Sequence, residues 1–141
     1  MSDPLRSPGT DRPGLLDTSV LIARESGRRL DADALPERTA VSVVTVAELH
    51  AGVLAAPDTA TRARRLATVD AVSAVQALPV TTEVARRWAE LRVRLADEGL
   101  RAKVNDLWIA AVAAAHDMDV VTQDADFDAI ERVGGPRVVR V

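Results

Sequence analysis

Cysteine is absent from the 141-residue sequence, and histidine occurs only twice, at His50 and His116. The lack of cysteine excludes a disulfide scaffold, a thiolate zinc site and a cysteine nucleophile. Two histidines are too few for a histidine-rich metal site. No apolar run reaches the roughly 18 residues of a membrane-spanning helix, and residues 1–13 lack the apolar stretch of a secretory signal. We therefore expect a cytoplasmic protein.

Aromatic residues and lysine are also scarce. The aromatic residues are Trp88, Trp108 and Phe127, and Lys103 is the only lysine. A surface that stacks several bases of single-stranded nucleic acid needs more exposed rings than this. The formal net charge of −3 also means that the surface as a whole does not attract polyanions. Any nucleic-acid recognition must therefore be local.

Apolar residues make up 48% of the chain, which is enough for a hydrophobic core in one domain of this length. Residues 1–13 are polar and rich in proline and glycine, so we expect a flexible tail there. The expected folded domain spans residues 14–141.

Short apolar segments alternate with helical ones along this domain. We predict strands over 15–16, 39–45, 77–80, 119–122 and 137–141, and helices over 19–25, 45–56, 60–74, 106–116 and 125–133, with one more through Leu91 that Gly99 ends. A capping box from Thr45 to Glu48 is expected to open the second helix, and Asn105 to cap the alanine-rich one. The alternation predicts an α/β fold: a single-domain, three-layer α/β/α arrangement around a short, mainly parallel sheet.

Four acidic residues occupy similar positions relative to the predicted elements. Asp17 ends the first strand, Glu48 lies just beyond the second, Asp124 follows the fourth, and Asp106 opens the alanine-rich helix. Ligands of open parallel sheets bind in the crevice outside the carboxyl ends of the strands. We therefore expect these four carboxylates to converge there.

Converging carboxylates need a counter-charge, because two of them about 4 Å apart repel by about 4 kcal/mol at an effective dielectric near 20. An all-oxygen ligand set favours Mg²⁺ or Mn²⁺, which points to metal-assisted phosphodiester hydrolysis. Helix capping is the competing interpretation for Glu48, Asp106 and Asp124. Asp17, directly after two leucines, has no obvious local role.

Four segments together resemble the motifs of PIN domains, and most closely the VapC-type toxins of bacterial toxin–antitoxin pairs. The segments are Leu15-Leu-Asp17-Thr-Ser-Val-Leu-Ile22, Ser42-Val-Val-Thr-Val-Ala-Glu48-Leu, Asn105-Asp106-Leu-Trp-Ile-Ala-Ala111 and Val121-Thr122-Gln-Asp124-Ala-Asp-Phe127. The resemblance covers residues 14–141. It implies an Mg²⁺- or Mn²⁺-dependent endoribonuclease that acts on RNA, forms a homodimer and is silenced by a cognate antitoxin. It also implies that Asp17, Glu48, Asp106 and Asp124 are the catalytic and metal-holding residues.

Auxiliary roles follow from the same comparison. Thr122 matches a hydroxyl that holds the last acid or a water, and Asp126 matches an auxiliary acid. Apart from the resemblance, the hydroxyl of Thr18 or Ser19, next to Asp17 in the sequence, is expected to orient Asp17 or a metal-bound water. Gln123 departs from the family, many members of which have arginine there, so contacts with substrate or antitoxin are expected to differ.

Arg101 and Lys103 precede Asp106 in a predicted loop. They are candidates for contacts with RNA phosphates, and a solvated basic loop is the alternative.

Two other classes of function remain open from the residues alone. One is a phosphotransfer domain that forms an aspartyl phosphate, although Asp17-Thr-Ser is not an Asp-x-Asp motif and no lysine ends a late strand. The other is a non-catalytic interaction module, in which the acids only cap helices.

Overall fold

The computed structural model describes residues 12–141. Its strands are β1 (Gly14–Leu16), β2 (Thr39–Ser42), β3 (Ala77–Leu78), β4 (Asp119–Thr122) and β5 (Val138–Arg140). Its helices are α1 (Thr18–Glu25), α2 (Val43–Leu54), α3 (Thr59–Val72), α4 (Thr82–Asp97), α5 (Val104–Ala115) and α6 (Asp128–Arg132), with single 3₁₀ turns at Ala32–Ala34 and Ala125–Phe127.

The five strands form one sheet in the order β3-β2-β1-β4-β5, and every neighbouring pair is parallel. Leu15 of β1 is in register with Ala40 of β2 on one side and with Val120 of β4 on the other. The chain therefore adds β2 and β3 on one side of β1, and then β4 and β5 on the other side. The boundary between β1 and β4 is the switch point at which α/β sheets bind ligands.

Side chains alternate between the two faces of each strand, as the two-residue repeat of a strand requires. On one face, Leu15 packs in a cluster with Leu91 of α4 and Ile109 of α5. On the other face, Leu16 packs in a cluster with Val72 of α3. The sheet thus lies between two helical layers, which confirms the predicted three-layer α/β/α fold.

Helix α5 has more buried residues than any other helix in the described range. Ala110, Ala111 and Ala113 are fully buried in the core cluster that covers one face of the sheet. Small side chains let this helix lie close to the strands, and its first turn carries Asp106. The predicted cap at Asn105 is wrong, because the helix begins at Val104 after Lys103 and has no side-chain cap.

The start of α2 also differs from the prediction. Strand β2 ends at Ser42, whose Oγ accepts a hydrogen bond from the Thr45 backbone N–H at 3.2 Å and caps the helix. The predicted capping box from Thr45 to Glu48 is therefore wrong. Helix α2 starts earlier than expected, and Glu48 lies in its second turn. The β-branched run at 43–45, expected as strand, is helical because the cap at Ser42 overrides propensity.

Most of the expected tail, residues 1–11, lies outside the described residues. Of its last two residues, Arg12 forms an ion pair with Asp119 at 3.2 Å, and Pro13 accepts a hydrogen bond from the Asp119 backbone N–H. Within the described range, no helix combines the length and the apolar character needed to cross a membrane.

Truncation of the central strand tests this arrangement of the core. We expect Leu15→Ala to lower the free energy of unfolding by about 2–5 kcal/mol, because Leu15 is fully buried between β2 and β4. The control is Val93→Ala on α4, where the side chain is 58% exposed, with an expected change within about 0.5 kcal/mol. Urea denaturation measures both, and equal effects would contradict the fold.

Candidate active site

Asp17 follows β1 directly and lies at the boundary with β4. Its backbone N–H donates to the carbonyl of Val121 at 2.8 Å, which extends the pairing of the two strands by one residue. Its side chain is only 4% exposed and caps α1, where Oδ2 accepts from the Ser19 backbone N–H at 3.4 Å. Capping is a local role that the sequence did not reveal for this residue.

Thr122, at the end of β4, links both strand-end acids. Its hydroxyl donates to Asp17 Oδ2 at 3.0 Å and accepts from the Asp124 backbone N–H at 3.0 Å. Ser19 Oγ lies 3.2 Å from the same hydroxyl and accepts from the Gln123 backbone N–H. One donor and two lone pairs are therefore all used. This fully buried hydroxyl fixes the positions of Asp17 and the backbone of Asp124 relative to each other.

Glu48 reaches the same end of the sheet from α2. Its Oε1 accepts a hydrogen bond from the Thr18 hydroxyl at 2.9 Å, and that hydroxyl also lies 3.1 Å from Thr45 Oγ1. Thr45 is fully buried one turn before Glu48. Sequence reasoning missed this supporting role because it assigned Thr45 to a capping box. The three-residue spacing from Thr45 to Glu48 was the available signal.

Asp106 projects from the first turn of α5 and has the most perturbed carboxyl group. Burial, followed by the negative charges of Asp17 and Asp126, raises its pKa to about 7, and Glu48 adds a smaller contribution. Its Oδ2 atom is buried and has no hydrogen-bond partner among residues 12–141. An unpaired carboxylate oxygen in this setting is costly unless a proton or a cation neutralises it.

Asp124 and Asp126 lie on the solvent side of the cluster, and both are exposed. Partial burial, then the charges of Asp17 and Asp126, raise the pKa of Asp124. Lys103 Nζ donates to Asp126 Oδ2 at 2.8 Å, and this hydrogen bond raises the pKa of the lysine. Both basic residues of this loop, Arg101 and Lys103, are exposed, and Lys103 is already paired with a carboxylate.

The structure brings the four predicted acids close enough to affect one another's charge. The negative charges of Asp17 and Glu48 raise the pKa of Asp106, and the charge of Asp17 raises the pKa of Asp124. Within the described part of the chain, however, no three acidic or histidine side chains already stand close enough to ligate one ion. Like charges favour such a spread arrangement. The all-oxygen set and the unpartnered Asp106 Oδ2 fit a hard divalent cation after side-chain adjustment.

A carboxyl group whose pKa is raised in the folded state costs stability. Asp106 is ionised in the unfolded chain above about pH 4 but keeps its proton in the folded protein up to about pH 7. The loss of folding stability caused by Asp106 is therefore absent below about pH 4 and grows as the pH rises to about 7. A change of this size in a fully buried group corresponds to about 4 kcal/mol, which solvent screening reduces to about 1–2 kcal/mol for this half-buried carboxyl.

We therefore expect Asp106→Asn to stabilise the metal-free protein by about 1–2 kcal/mol at pH 7.5 and to have little effect near pH 4. Asp70→Asn, at an exposed position of α3, is the control and should change stability equally little at both pH values. Denaturant unfolding in EDTA measures the difference. An Asp106→Asn protein no more stable than the unsubstituted protein at pH 7.5 would contradict the electrostatics described here.

Comparisons with known proteins agree with this geometry. Residues 14–133 match the PIN domain family. The chain is 52% identical to Ribonuclease VapC5 of Mycobacterium tuberculosis, with 94% of this chain and 98% of the relative covered. It is 41% identical to Ribonuclease VapC4 of the same organism, with 86% and 94% covered.

A solved structure of VapBC-5, a member of the VapBC family of toxin–antitoxin systems from M. tuberculosis, superposes with a TM-score of 0.86. Sequence identity there is 49%, and the match covers 92% of this chain and 99% of that one. Ribonucleases with PIN domains are metal-dependent in general. From the four sequence motifs, the parallel fold and these similarities, we conclude that the chain belongs to the PIN-domain family and, within it, to the VapC ribonucleases.

Proposed function

We propose that this chain is a metal-dependent endoribonuclease that hydrolyses RNA phosphodiester bonds as the toxin of a toxin–antitoxin pair. The observation that carries the proposal is the buried Asp17 carboxylate at the β1/β4 boundary. It accepts a hydrogen bond from Thr122, and its negative charge contributes to the raised pKa of Asp106. Membership of the VapC ribonucleases supports the same reaction. It also weighs against the phosphotransfer and non-catalytic alternatives.

The catalytic and metal-holding residues in this proposal are Asp17, Glu48, Asp106 and Asp124. Their oxygens suit Mg²⁺ or Mn²⁺. The chemistry that such an ion supplies when bound is polarisation of the phosphoryl oxygens and activation of water as a nucleophile. This reaction needs no histidine. That agrees with the structure, in which His50 and His116 are both exposed to solvent.

The chain's own hydroxyl groups orient the acids. Thr122 and the Ser19 backbone N–H hold Asp17 Oδ2, and Thr18 holds Glu48 Oε1. Hydrogen bonds to carboxylates are worth about 1.5–3 kcal/mol each. Fixed carboxylates lose little freedom when the substrate arrives, which is an advantage of a preorganised site. Asp126, paired with Lys103, is an auxiliary acid at the rim.

The remaining parts of the proposal concern assembly. We place the nuclease domain at residues 14–141 and the activity in the cytoplasm, where its RNA substrate is found. A cognate antitoxin protein neutralises the enzyme, as the similarity to a VapBC complex supports. The chain forms a homodimer through the α2–α3 region, where Leu54 and Leu66 expose apolar side chains.

Removal of the central carboxylate tests the reaction. We expect the purified protein to cleave single-stranded RNA with Mg²⁺ or Mn²⁺ and to stop when EDTA is added. Asp17→Asn should lower the cleavage rate at least about 100-fold, a loss of about 2.7 kcal/mol of transition-state stabilisation, with unchanged circular dichroism. Asp97→Asn on the exposed side of α4 is the control. Cleavage that continues in EDTA, or full activity of Asp17→Asn, would refute the proposal.

The hydroxyl of Thr122 provides a second test. Thr122→Val keeps the shape of the side chain but removes the donor to Asp17 Oδ2, so we expect kcat/KM for RNA cleavage to fall about 10-fold. Thr122→Ser retains the hydroxyl and should stay within about threefold of the unsubstituted enzyme. Equal losses in both variants would show that packing matters there and the hydrogen bond does not.

A further inference from the structure

A recess beside the acid cluster has no assigned role. It lies between the C-terminal half of α4 and the start of α5, has a volume of about 650 Å³, and is floored by apolar side chains, among them Leu95, Ala96, Leu100 and Leu107. This volume lies within the roughly 300–1,000 Å³ of small-ligand pockets. Ala102 and Leu107 line the recess on either side of Asp106 in the sequence, so the recess lies at the end of α5 that carries this acid.

Two arginines stand at the recess, Arg92 from α4 and Arg101 from the α4–α5 loop. Neither forms an ion pair with any residue in the range 12–141. Arg86 and Arg87 of α4, in contrast, both pair with Glu83. The two guanidinium groups are therefore available to an anionic ligand. Arg92 also lies over the ring of Trp88 at 5.6 Å, which restricts its side chain before any ligand binds.

Because the neighbouring acids are negatively charged, positive charge close to them favours the binding of an RNA substrate. Phosphate groups approaching Asp106 and Asp124 meet negative charge, and the only lysine of the sequence, Lys103, is already paired with Asp126. Arginine binds phosphate through its planar, bidentate guanidinium group. Single-stranded RNA can also turn an unstacked base into an apolar pocket, which a duplex cannot do.

We propose that this recess, with Arg92 and Arg101, is a nucleotide subsite for single-stranded RNA. The apolar floor takes the base of a nucleotide next to the cleaved bond, and the two guanidinium groups bind the flanking phosphates. The inference rests on the proposed endoribonuclease function and adds a substrate-binding site to it. The charge at the recess favours RNA over a protein occupant, because two arginines that have no ion pair within the described part of the chain flank a small apolar floor.

Kinetics of the arginine variants test the phosphate contacts. We expect Arg92→Ala and Arg101→Ala each to raise KM for a 12-nucleotide single-stranded RNA about 5–10-fold, with kcat within about twofold. Each should also reduce the slope of log KM against log salt concentration by about 0.7, the value for one phosphate contact in single strands. The matched control is Arg94→Ala, on the same helix but beside Asp97 and Glu98, with KM within about twofold.

A filled recess tests the base contact separately. Ala96→Phe, at an exposed position of α4 that lines the recess, should raise KM for the intact RNA. It should have little effect on an otherwise identical RNA that lacks the base beside the cleaved bond. The thermal midpoints of all variants are compared first, so that a folding defect is recognised.

The outcomes separate this inference from the function on which it rests. If the unsubstituted protein cleaves RNA but both arginine variants keep its KM and salt slope, the subsite is refuted and the endoribonuclease stands; the recess would then suit a protein partner. A loss confined to kcat would also refute the subsite, because it would indicate disturbance of the acids. If the unsubstituted protein cleaves no RNA at all, both proposals fail together.

Discussion

The hydrogen bond from the Thr122 hydroxyl to the buried Asp17 carboxylate joins β4 to β1 where the chain reverses its direction across the sheet. A carboxylate that is only 4% exposed is tolerated when its oxygens are hydrogen-bonded, and here the Ser19 backbone N–H and the Thr122 hydroxyl supply the donors. The same threonine accepts the backbone N–H of Asp124. This junction therefore fixes Asp17 and the backbone of Asp124 relative to each other.

The acidic side chains around this junction repel one another, and this repulsion lowers the stability of the folded protein. Burial, followed by the charges of Asp17 and Asp126, raises the pKa of Asp106, and the charge of Lys103, directly before α5, opposes this shift. A site that gathers carboxylates without satisfying all of their oxygens, as at Asp106 Oδ2, is better suited to holding a cation than to stabilising the fold. Arg92 and Arg101, which form no ion pair with any other residue of the range 12–141, lie at the same end of α5, where positive charge favours the approach of substrate phosphates.

The α/β fold, the parallel sheet and the strand-end positions of Asp17 and Asp124 were predictable, because strands and helices alternate and parallel strands end on one side of the sheet. The start of α2 was not, since Ser42 and Thr45 both suit an N-cap and only tertiary contacts decide between them. The Thr45 hydroxyl instead accepts a hydrogen bond from the Thr18 hydroxyl. The pairing of Lys103 with Asp126, 23 residues away, and the recess beside α5 arise from packing between distant segments, which no local pattern encodes.

The claim on which the account depends is that Asp17, Glu48, Asp106 and Asp124 form one cation site across the β1/β4 boundary. Anomalous diffraction from crystals soaked in millimolar Mn²⁺ tests it most directly. The account predicts a peak within bonding distance, about 2.0–2.3 Å, of carboxylate oxygens that include one from Asp17 and one from α5 or the segment after β4. A peak bound only by acids elsewhere on the surface, or none at saturating Mn²⁺, would contradict it.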